Sequence, residues 1–429
     1  MKIGMISLGC DKNRVDSERM LYLLRSAGFT LTDEPSEAEV IIVNTCAFIE
    51  SAKKEAIETI LDMARYKEEG VLKKLIVTGC FAQRYPDAEF PEVDRFVSIA
   101  DEEKIVSVVA EETGTEFLPR ADQGRVLTTP PHYAYLKIAD GCNNRCSYCA
   151  IPNIRGKYRS YPKEELIAEA KRLHEDGVKE LILVAQDTTF YGVDLYKKAS
   201  LCDLLKELEK VGFWKIRLLY AYPERITDEL IDLMANSKVV AHYLDIPLQH
   251  VDDDILGKMR RATREDKIRA LLKKLRERVP DIAIRSTFIV AFPTETDEQN
   301  EKLRAFAEQG ACDYAGFFIY SPEEGTEAYD IKPRIGKSVA RKRLLACERA
   351  QSAAMVEKQK KYVGKTLEVI YEGIDFDKQL FCGRSEYNAP DVDTKVYFTA
   401  AFTPEPGRIY NVKITSSDFH LYGEGEECL

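Results

Sequence analysis

The stretch Asp140-Gly-Cys-Asn-Asn-Arg-Cys-Ser-Tyr-Cys149 places three cysteines in a C-x3-C-x2-C spacing, directly after the strand-like run Tyr133–Ala139. Three thiolates this close together can bind one face of a compact inorganic centre. A four-iron cluster normally takes four cysteines, so three leave one iron free to bind a chelating reactant. The spacing of Cys142, Cys146 and Cys149 therefore predicts a 4Fe–4S cluster with one open iron.

A structural zinc site is the alternative for these cysteines. Zinc usually has four closed ligands in paired C-x2-C or Cys/His spacing. No partner pair lies nearby in the sequence, which disfavours zinc. The spacing resembles that of the radical-SAM superfamily, whose members bind S-adenosylmethionine (SAM) through its amino and carboxylate groups and cleave it to a radical.

The length of 429 residues indicates about two or three domains. No apolar run has membrane-spanning length, and Met1–Ser7 reads as a buried strand rather than a signal peptide. Eleven cysteines, an odd number, favour reduced thiols in the cytoplasm over a disulfide framework. A net charge of −10 disfavours a broad nucleic-acid-binding surface and fits a basic protein partner better.

The first 117 residues alternate short apolar runs with helical patterns. Runs suited to buried strands are Ile3–Leu8, Val40–Asn44, Lys74–Thr78 and Arg95–Ile99. Helical patterns accompany them at Ser17–Ala27, Ile49–Lys67 and Glu102–Glu112. Strands that alternate with helices form parallel sheets covered on both faces, so we expect a doubly wound α/β domain.

A cysteine follows each of the first three predicted strands, namely Cys10, Cys46 and Cys80. The carboxyl ends of parallel strands share one edge of the sheet, where ligands bind. Gly9 and Gly79 precede two of these cysteines and would let the backbone pass close to a bulky ligand. Each cysteine alone could be a buried small hydrophobe. Three at equivalent positions favour a second iron–sulfur cluster, again with an open iron.

A Pro- and Gly-containing segment at 118–132 is predicted to be a linker, and six strand–helix units follow it. The predicted strands are Tyr133–Ala139, Glu180–Ala185, Lys215–Tyr220, Ala241–Ile246, Ala283–Val290 and Tyr314–Tyr320. The predicted helices are Lys163–Asp176, Leu201–Val211, Asp228–Asn236, Arg264–Arg278 and Asp297–Gln309. The repeat predicts a partial (β/α)6 TIM-like barrel over 133–361, with its chemistry at the carboxyl ends of the strands.

The chain changes character after a long predicted helix at Val339–Tyr362. Four alternating segments separated by turn residues follow, at Leu367–Tyr371, Leu380–Arg384, Lys395–Ala400 and Ile409–Ile414. Residues 362–429 are therefore expected to form a small all-β barrel. The five cysteines outside the two trios are expected to be buried free thiols; these are Cys202, Cys312, Cys347, Cys382 and Cys428.

Over its whole length the chain resembles the radical-SAM methylthiotransferase family. That family combines an N-terminal domain carrying three cluster cysteines, a radical-SAM barrel and a C-terminal TRAM β-barrel. Six motifs are similar to the branch that modifies a ribosomal protein. They are Ile6-Ser-Leu-Gly-Cys10, Asn44-Thr-Cys-Ala-Phe-Ile49, Gly79-Cys-Phe-Ala-Gln-Arg84, Ala185-Gln-Asp-Thr-Thr189, Pro247-Leu-Gln-His250 and Gly383-Arg-Ser-Glu-Tyr-Asn-Ala-Pro-Asp-Val-Asp393.

The resemblance implies an enzyme that inserts a methylthio group at the β-carbon of an aspartate in small-subunit ribosomal protein S-twelve. It implies two 4Fe–4S clusters, one on each cysteine trio. One SAM generates a radical, and a further SAM methylates a sulfur held at the second cluster. It also implies an electron donor, expected to be flavodoxin-like, and no membrane partner.

Five further residues are candidates for contacts with SAM or the substrate: Tyr148, Gln186, Asp187, Gln249 and His250. Tyr148 precedes the last cysteine of its loop and is expected near the adenine, while the others stand at the ends of predicted strands. Each could instead pack within its loop or cap a strand. The turn Ala291-Phe-Pro-Thr-Glu295 departs from the Gly-Phe-Pro-Gly-Glu of the family, which weakens the inference of SAM contacts there.

Charge favours a protein substrate over RNA. Residues 362–429 carry six Lys or Arg and twelve Asp or Glu, a net charge of −6. Such a surface repels phosphate and attracts a basic ribosomal protein, although the acids could simply solvate a small barrel. Two other functions stay open: a transfer-RNA adenosine methylthiotransferase, and a non-catalytic iron–sulfur scaffold or redox sensor.

Overall fold

The computed structural model describes residues 1–117 and 124–426, so part of the predicted linker and Cys428 lie outside the described residues. The amino-terminal domain contains β1 (Lys2–Ser7), α1 (Asp11–Ser26), β2 (Thr30–Thr32), β3 (Val40–Thr45), α2 (Glu50–Glu68), β4 (Lys74–Gly79), α3 (Cys80–Arg84), β5 (Arg95–Phe96) and α4 (Ile105–Thr113). Its five strands form one parallel sheet in the order β2-β1-β3-β4-β5.

Both faces of this sheet are buried, as the apolar runs predict. Val40 and Ile42 pack with Met20 of α1 and Ile105 of α4 on one face. Ile41 and Val43, the alternate residues of the same strand, pack with α2 on the other face. Alternate residues of a strand point to opposite faces, so a strand that is apolar at nearly every position requires a helix on each side. The doubly wound prediction is confirmed.

Several predicted boundaries in this domain differ from the structure by one residue, and the largest differences are at β5, α1 and α4, which starts at Ile105 rather than Glu102. Strand β5 ends at Phe96 rather than Ile99, because Ile99–Lys104 forms a 3-10 turn. Helix α1 starts at Asp11 instead of Ser17, and its polar first turns are buried rather than exposed. These polar residues contact the next domain, so they lack the amphipathic pattern from which a helix start is usually predicted.

The barrel domain has six major strands that follow the order of the sequence. Its elements are β6 (Tyr133–Lys137), β7 (Ala139–Asp140), α5 (Ile151–Ile154), β8 (Arg159–Ser160), α6 (Lys163–Glu175), β9 (Glu180–Val184), α7 (Val193–Tyr196), α8 (Leu201–Leu208), β10 (Lys215–Leu218), α9 (Asp228–Asn236), β11 (Val240–Asp245), α10 (Asp253–Lys258), α11 (Glu265–Arg278), β12 (Ala283–Val290), α12 (Asp297–Glu308), β13 (Tyr314–Ile319) and α13 (Lys337–Gln359). The parallel sheet runs β6-β9-β10-β11-β12-β13, and no ladder joins β6 to β13 within the described residues. The partial-barrel prediction is confirmed.

Other domains cover the inner side of this open barrel. Val15 of α1 packs with Tyr133 and Tyr135 of β6, and Ala389 of the carboxy-terminal region belongs to the same cluster. The outward-facing side chains of the strands pack against the surrounding helices in a second, larger core. The amino-terminal domain therefore lies against the first strand of the barrel.

The carboxy-terminal domain is a closed five-stranded barrel in the order β14-β15-β16-β18-β17. The strands are β14 (Thr366–Asp375), β15 (Leu380–Arg384), β16 (Val396–Ala400), β17 (Ile409–Ser417) and β18 (Leu421–Glu426). The last strand was not predicted from the sequence, and it pairs in parallel with β16 to close the barrel. The predicted all-β barrel is confirmed.

The motif 383–393 fastens this small barrel to the amino-terminal ends of the larger barrel's strands. Glu180 at the start of β9 accepts hydrogen bonds from Arg217 and Arg384, each at 2.7 Å. Asp393 accepts from Arg285 at 2.5 Å and from the Tyr243 hydroxyl at 2.7 Å. This motif is therefore an interdomain fastening, on the side of the barrel opposite to the cysteine loop. None of the helices in the described ranges is long and apolar enough to cross a membrane.

Candidate functional site

The loop that carries Cys142, Cys146 and Cys149 is held at its base by a short antiparallel pair. Strand β7 pairs with β8, and the Cys142 amide donates to the Gly156 carbonyl at 3.1 Å. Gly141 has φ +71, and a Cβ there would lie 2.2 Å from the Lys157 carbonyl oxygen. Only glycine fits this position, so the turn directs the chain straight into the cysteine loop.

Residues from the segments that follow β9, β10 and β11 hold the loop from the other side. Asp187 accepts from Asn144 at 3.0 Å and from Arg225 at 2.6 Å. Arg225 also donates to the Asn144 side-chain oxygen at 2.9 Å. Further along, Ser147 donates to the Lys258 carbonyl at 2.7 Å. Asp187, predicted as a possible SAM contact, thus stabilises the cysteine loop through its hydrogen bonds to Asn144 and Arg225.

Two thiols of this loop, Cys142 and Cys149, lie in surroundings that suit a positive centre. Burial raises the pKa of Cys142 to about 11. Burial, followed by the charge of Cys146, raises the pKa of Cys149 still further. For Cys142 and Cys149 the neutral thiol is favoured unless a cation compensates for the negative charge of the thiolate, and bound iron would supply that positive charge.

Two residues beside the loop have no signal in the sequence. The Tyr222 hydroxyl lies 3.0 Å from the Cys146 sulfur. The guanidinium of Arg261 stacks 3.7 Å from the centre of the Tyr222 ring and donates to the Pro247 carbonyl at 2.9 Å. Its Nε atom is buried and has no hydrogen-bond partner among the described residues. A single Tyr or Arg in a loop cannot be picked out without knowing its spatial neighbours.

The other predicted contacts occupy varied surroundings. Tyr148 packs against a small apolar cluster that includes Met259 and Phe292. Gln186 has a buried side-chain oxygen without a hydrogen-bond partner in the described chain, so it can accept from a ligand. Gln249 has φ +73 and pairs through its backbone with β12. Their roles as cofactor contacts remain predictions.

His250 is fully buried, and burial lowers its pKa to about 3. Its Nδ1 atom accepts from the Asp252 amide at 2.9 Å, which stabilises the turn that leads into α10. The charged groups that affect the pKa of His250 are Asp252, which raises it, and Lys302, which lowers it; neither belongs to the cysteine loop. This geometry matches the alternative of a polar strand-end cap, and a contact with SAM remains a prediction.

The second trio stands at the carboxyl ends of three adjacent strands. Cys10 is the N-cap of α1, Cys46 follows β3, and Cys80 is the first residue of α3. Helix amino termini favour negative charge, which suits thiolate ligands at Cys10 and Cys80. A Cβ at Gly9 would lie 2.6 Å from Cys46 Cβ, so the first glycine allows two of the strand ends to approach closely.

The thiols of this trio affect one another electrostatically. Burial raises the pKa of Cys80 to about 12, and the charges of Cys10 and Cys46 add to the shift. Burial also raises the pKa of Cys46. Within residues 1–117 and 124–426, no three Cys, His, Asp or Glu side chains are already arranged to hold a metal ion. Thiols have donor chemistry that suits iron, and the assignment of the two trios as ligands remains a prediction.

A buried network of charges joins the two trios. Lys137 of β6 donates to Asp16 of α1 and, at 3.1 Å, to Asp140. Arg155 donates to the same two carboxylates, at 3.2 Å and 2.9 Å, and to the Asn13 side chain. Although burial opposes it, the charges of Lys137 and Arg155 lower the pKa of Asp140. The network fixes the amino-terminal domain beside the base of the cysteine loop.

Comparison with known families and proteins follows the three-domain division. Residues 2–99 match the uncharacterised protein family UPF0004, residues 136–307 the radical SAM superfamily, and residues 363–424 the TRAM domain. Among solved structures, the radical SAM methyltransferase TsrM from Kitasatospora setae is similar in fold, with a TM-score of 0.52 and 15% identity over 75% of this chain and 73% of that one.

Curated relatives match from end to end. The "Ribosomal protein uS12 methylthiotransferase RimO" of Lachnoclostridium phytofermentans is 45% identical in an alignment 440 positions long that covers 99% of this chain and 100% of the relative. The protein of the same name from Thermoanaerobacter sp. is 44% identical over 98% of this chain and 99% of the relative. The resemblance inferred from the motifs is thereby confirmed, and the chain belongs to the RimO family of radical-SAM methylthiotransferases.

Proposed function

We propose that this protein inserts a methylthio group at the β-carbon of an aspartate in ribosomal protein uS12. The proposal rests on the end-to-end similarity, at 45% identity, to a relative named ribosomal protein uS12 methylthiotransferase. The two cysteine trios, joined through one buried charge network, support it. We propose Cys142, Cys146 and Cys149 as ligands of one 4Fe–4S cluster, and Cys10, Cys46 and Cys80 as ligands of another.

Bound there, the clusters and SAM would supply one-electron chemistry and a carrier for sulfur, neither of which a side chain can provide. The protein's part is to position the reactants. Asp187 and Arg225 hold the cysteine loop through Asn144. Gln186 and Arg261 each have a buried polar atom without a partner among the described residues, so both can bind a polar group of SAM without losing an existing bond.

The surface charge suits a basic protein substrate. The carboxy-terminal barrel has a net charge of −6, and exposed acids such as Asp377, Glu405 and Glu424 contribute to it. Opposite charge accelerates encounter and orients the partner, most strongly at low ionic strength. We therefore propose that this barrel attracts uS12 and leaves transfer RNA unbound.

We further propose that the reaction takes place in the cytoplasm with a flavodoxin-like electron donor, because reduced cysteines and a low-potential centre require a reducing compartment. The proposed boundaries are 1–117 for the amino-terminal domain, 118–132 for the linker, 133–361 for the radical-SAM barrel and 362–429 for the TRAM domain.

The proposal is tested by incubating reconstituted enzyme anaerobically with SAM, sulfide, reductant and either uS12 or transfer RNA. Mass spectrometry is expected to find a methylthio group in place of one hydrogen on an aspartate of uS12. Modification of an adenosine in the RNA, with uS12 unchanged, would show that the substrate assignment is wrong. An Asp-to-Asn variant of uS12 at the modified site serves as the control.

A further inference from the structure

We propose that Arg155 is a positioning residue for the amino-terminal trio, holding it against the radical-SAM loop through Asn13 and making its electrostatic potential more positive. The inference rests on the proposed function, in which Cys10, Cys46 and Cys80 bind a cluster. It adds a role for two residues that lie outside both cysteine motifs.

Asn13 touches all three strand ends that carry the trio. Its side-chain amide donates to the Leu8 carbonyl at 3.1 Å and to the Thr45 carbonyl at 2.8 Å. Leu8 lies two residues before Cys10, and Thr45 directly precedes Cys46. The Cys80 sulfur lies 3.7 Å from the side-chain oxygen of Asn13. One fully buried side chain thus fixes the relative positions of the three thiols.

Arg155 connects this arrangement to the other trio. Its side chain is 1% exposed and lies just after α5, on the segment that returns from the cysteine loop. It donates to Asn13 and, through Nη1, to both oxygens of Asp140 at 3.1 Å and 2.9 Å. Asp140 is followed by Gly141 and then Cys142. A single guanidinium therefore links the base of the radical-SAM loop to the centre of the amino-terminal trio.

The charge of Arg155 acts on the thiols as well. Arg155 Nη2 donates to the side-chain oxygen of Asn13, and the Cys80 sulfur lies 3.7 Å from that same oxygen, so the guanidinium charge lies beside the trio. Lys137, the other cation of the network, is placed towards Asp16 and Asp140. The potential of an iron–sulfur cluster depends on nearby charge and hydrogen bonds. A buried cation stabilises the reduced form, which carries one more negative charge, and so raises the reduction potential.

The test uses the full-length protein in which Cys142, Cys146 and Cys149 are all replaced by Ala, so that only the amino-terminal cluster remains. In this parent we compare Arg155→Gln, which removes the charge, with Arg155→Lys, which keeps it. The readouts are bound iron and the midpoint potential from an anaerobic redox titration followed by electron paramagnetic resonance. Arg19→Gln is the matched control, because Arg19 lies on α1, the helix that carries Asn13, but pairs with Glu169 at 2.9 Å.

Arg155→Gln is expected to shift the midpoint potential to a more negative value, while Arg155→Lys stays closer to the parent and Arg19→Gln stays unchanged. If Arg155→Gln loses its iron, retention of iron by Arg155→Lys supports the role of charge. Equal potentials in all variants, or equal loss of iron from the Gln and Lys variants, would overturn the inference. A parent without any cluster would refute the ligand assignment itself and the inference with it, so the two failures are distinguishable.

Discussion

The fastening between the two barrels gives a prediction whose size follows from the structure. Glu180→Gln removes one negative charge from a site where Glu180 and Arg217 are fully buried and Arg384 is 2% exposed. After this change Arg384 still has an ion pair with Glu372, whose Oε1 lies 2.7 Å from Arg384 Nε. Arg217 keeps the backbone carbonyls of Glu386 at 2.8 Å and Ser385 at 3.4 Å and the face of the Tyr243 ring at 4.5 Å, but no other carboxylate within the described residues. One buried guanidinium charge is thus left uncompensated.

Removing one partner from a buried ion pair typically costs about 3–5 kcal/mol. Since about 1.4 kcal/mol is a factor of ten, the detached state of the small barrel is expected to become roughly two to four powers of ten more populated. Trp214 is the only tryptophan, and its indole N–H donates to Glu368 of β14 at 3.1 Å. Its fluorescence during urea denaturation therefore reports separation of the two barrels.

The matched control is Glu277→Gln, which breaks the pair between Lys273 and Glu277, side chains that are 76% and 62% exposed. Exposed pairs contribute about 0–1 kcal/mol, so the urea midpoint is expected to change little. Equal urea midpoints for Glu180→Gln and Glu277→Gln would show that this buried ion pair does not hold the two barrels together. The charges of Arg217 and Arg384 overcome the effect of burial and lower the pKa of Glu180, so the fastening is stable at neutral pH and is lost in acid.

Three further predictions concern the site and its support. Replacing Cys142, Cys146 and Cys149 by Ala is expected to abolish SAM cleavage, whereas replacing Cys10, Cys46 and Cys80 leaves cleavage but stops methylthiolation. Chromatography of 5′-deoxyadenosine measures the cleavage, and mass spectrometry of uS12 measures the methylthiolation. Identical results for the two triple variants would contradict this division of roles. Gly79→Ala is expected to lose the iron of the amino-terminal cluster, because a Cβ at this position would lie 2.2 Å from the Asn44 side-chain oxygen. The control is Gly70→Ala, which has a similar φ of +83 and open space around it, and which is expected to cost only about 1–2 kcal/mol of stability. Equal iron contents in the two variants would show that the close approach at Gly79 is unimportant. Burial raises the pKa of Glu102 to about 8, so this carboxyl binds its proton more tightly when folded and stability falls as pH rises from about 5 to 8. Glu102→Gln is expected to flatten that dependence in melting curves, and an unchanged slope would contradict the assignment.

Most of the fold could be predicted because its strands are long apolar runs with a clear period. Strand β12 matches its predicted range, Ala283–Val290, as does helix α9 at Asp228–Asn236. The elements that were missed are short or depend on tertiary contacts. Strand β2 has three residues at a sheet edge, and α3 begins at Cys80 only because Gly79, with φ +87, turns the chain there. Neither leaves a periodic pattern in the sequence.

The residues of the candidate site also include some that the sequence predicts and some that only the structure identifies. The six cysteines could be proposed from spacing and from their equivalent places after strands. Asn13, Arg155, Tyr222 and Arg261 could not, because each is a single polar residue whose role comes from neighbours distant in sequence. The motif 383–393 indicated the correct family branch, yet only the structure shows that it joins two domains. Its acids Glu386 and Asp393 bind Lys215 and Arg285, so they are unavailable to a partner.

The iron content of the purified protein decides whether the chain binds two clusters. Anaerobically reconstituted full-length protein is expected to bind about eight irons per chain, and each triple cysteine variant about four, with distinct paramagnetic resonance spectra. About four irons in the unaltered protein, or loss of all iron from both triple variants, would contradict the presence of two independent clusters.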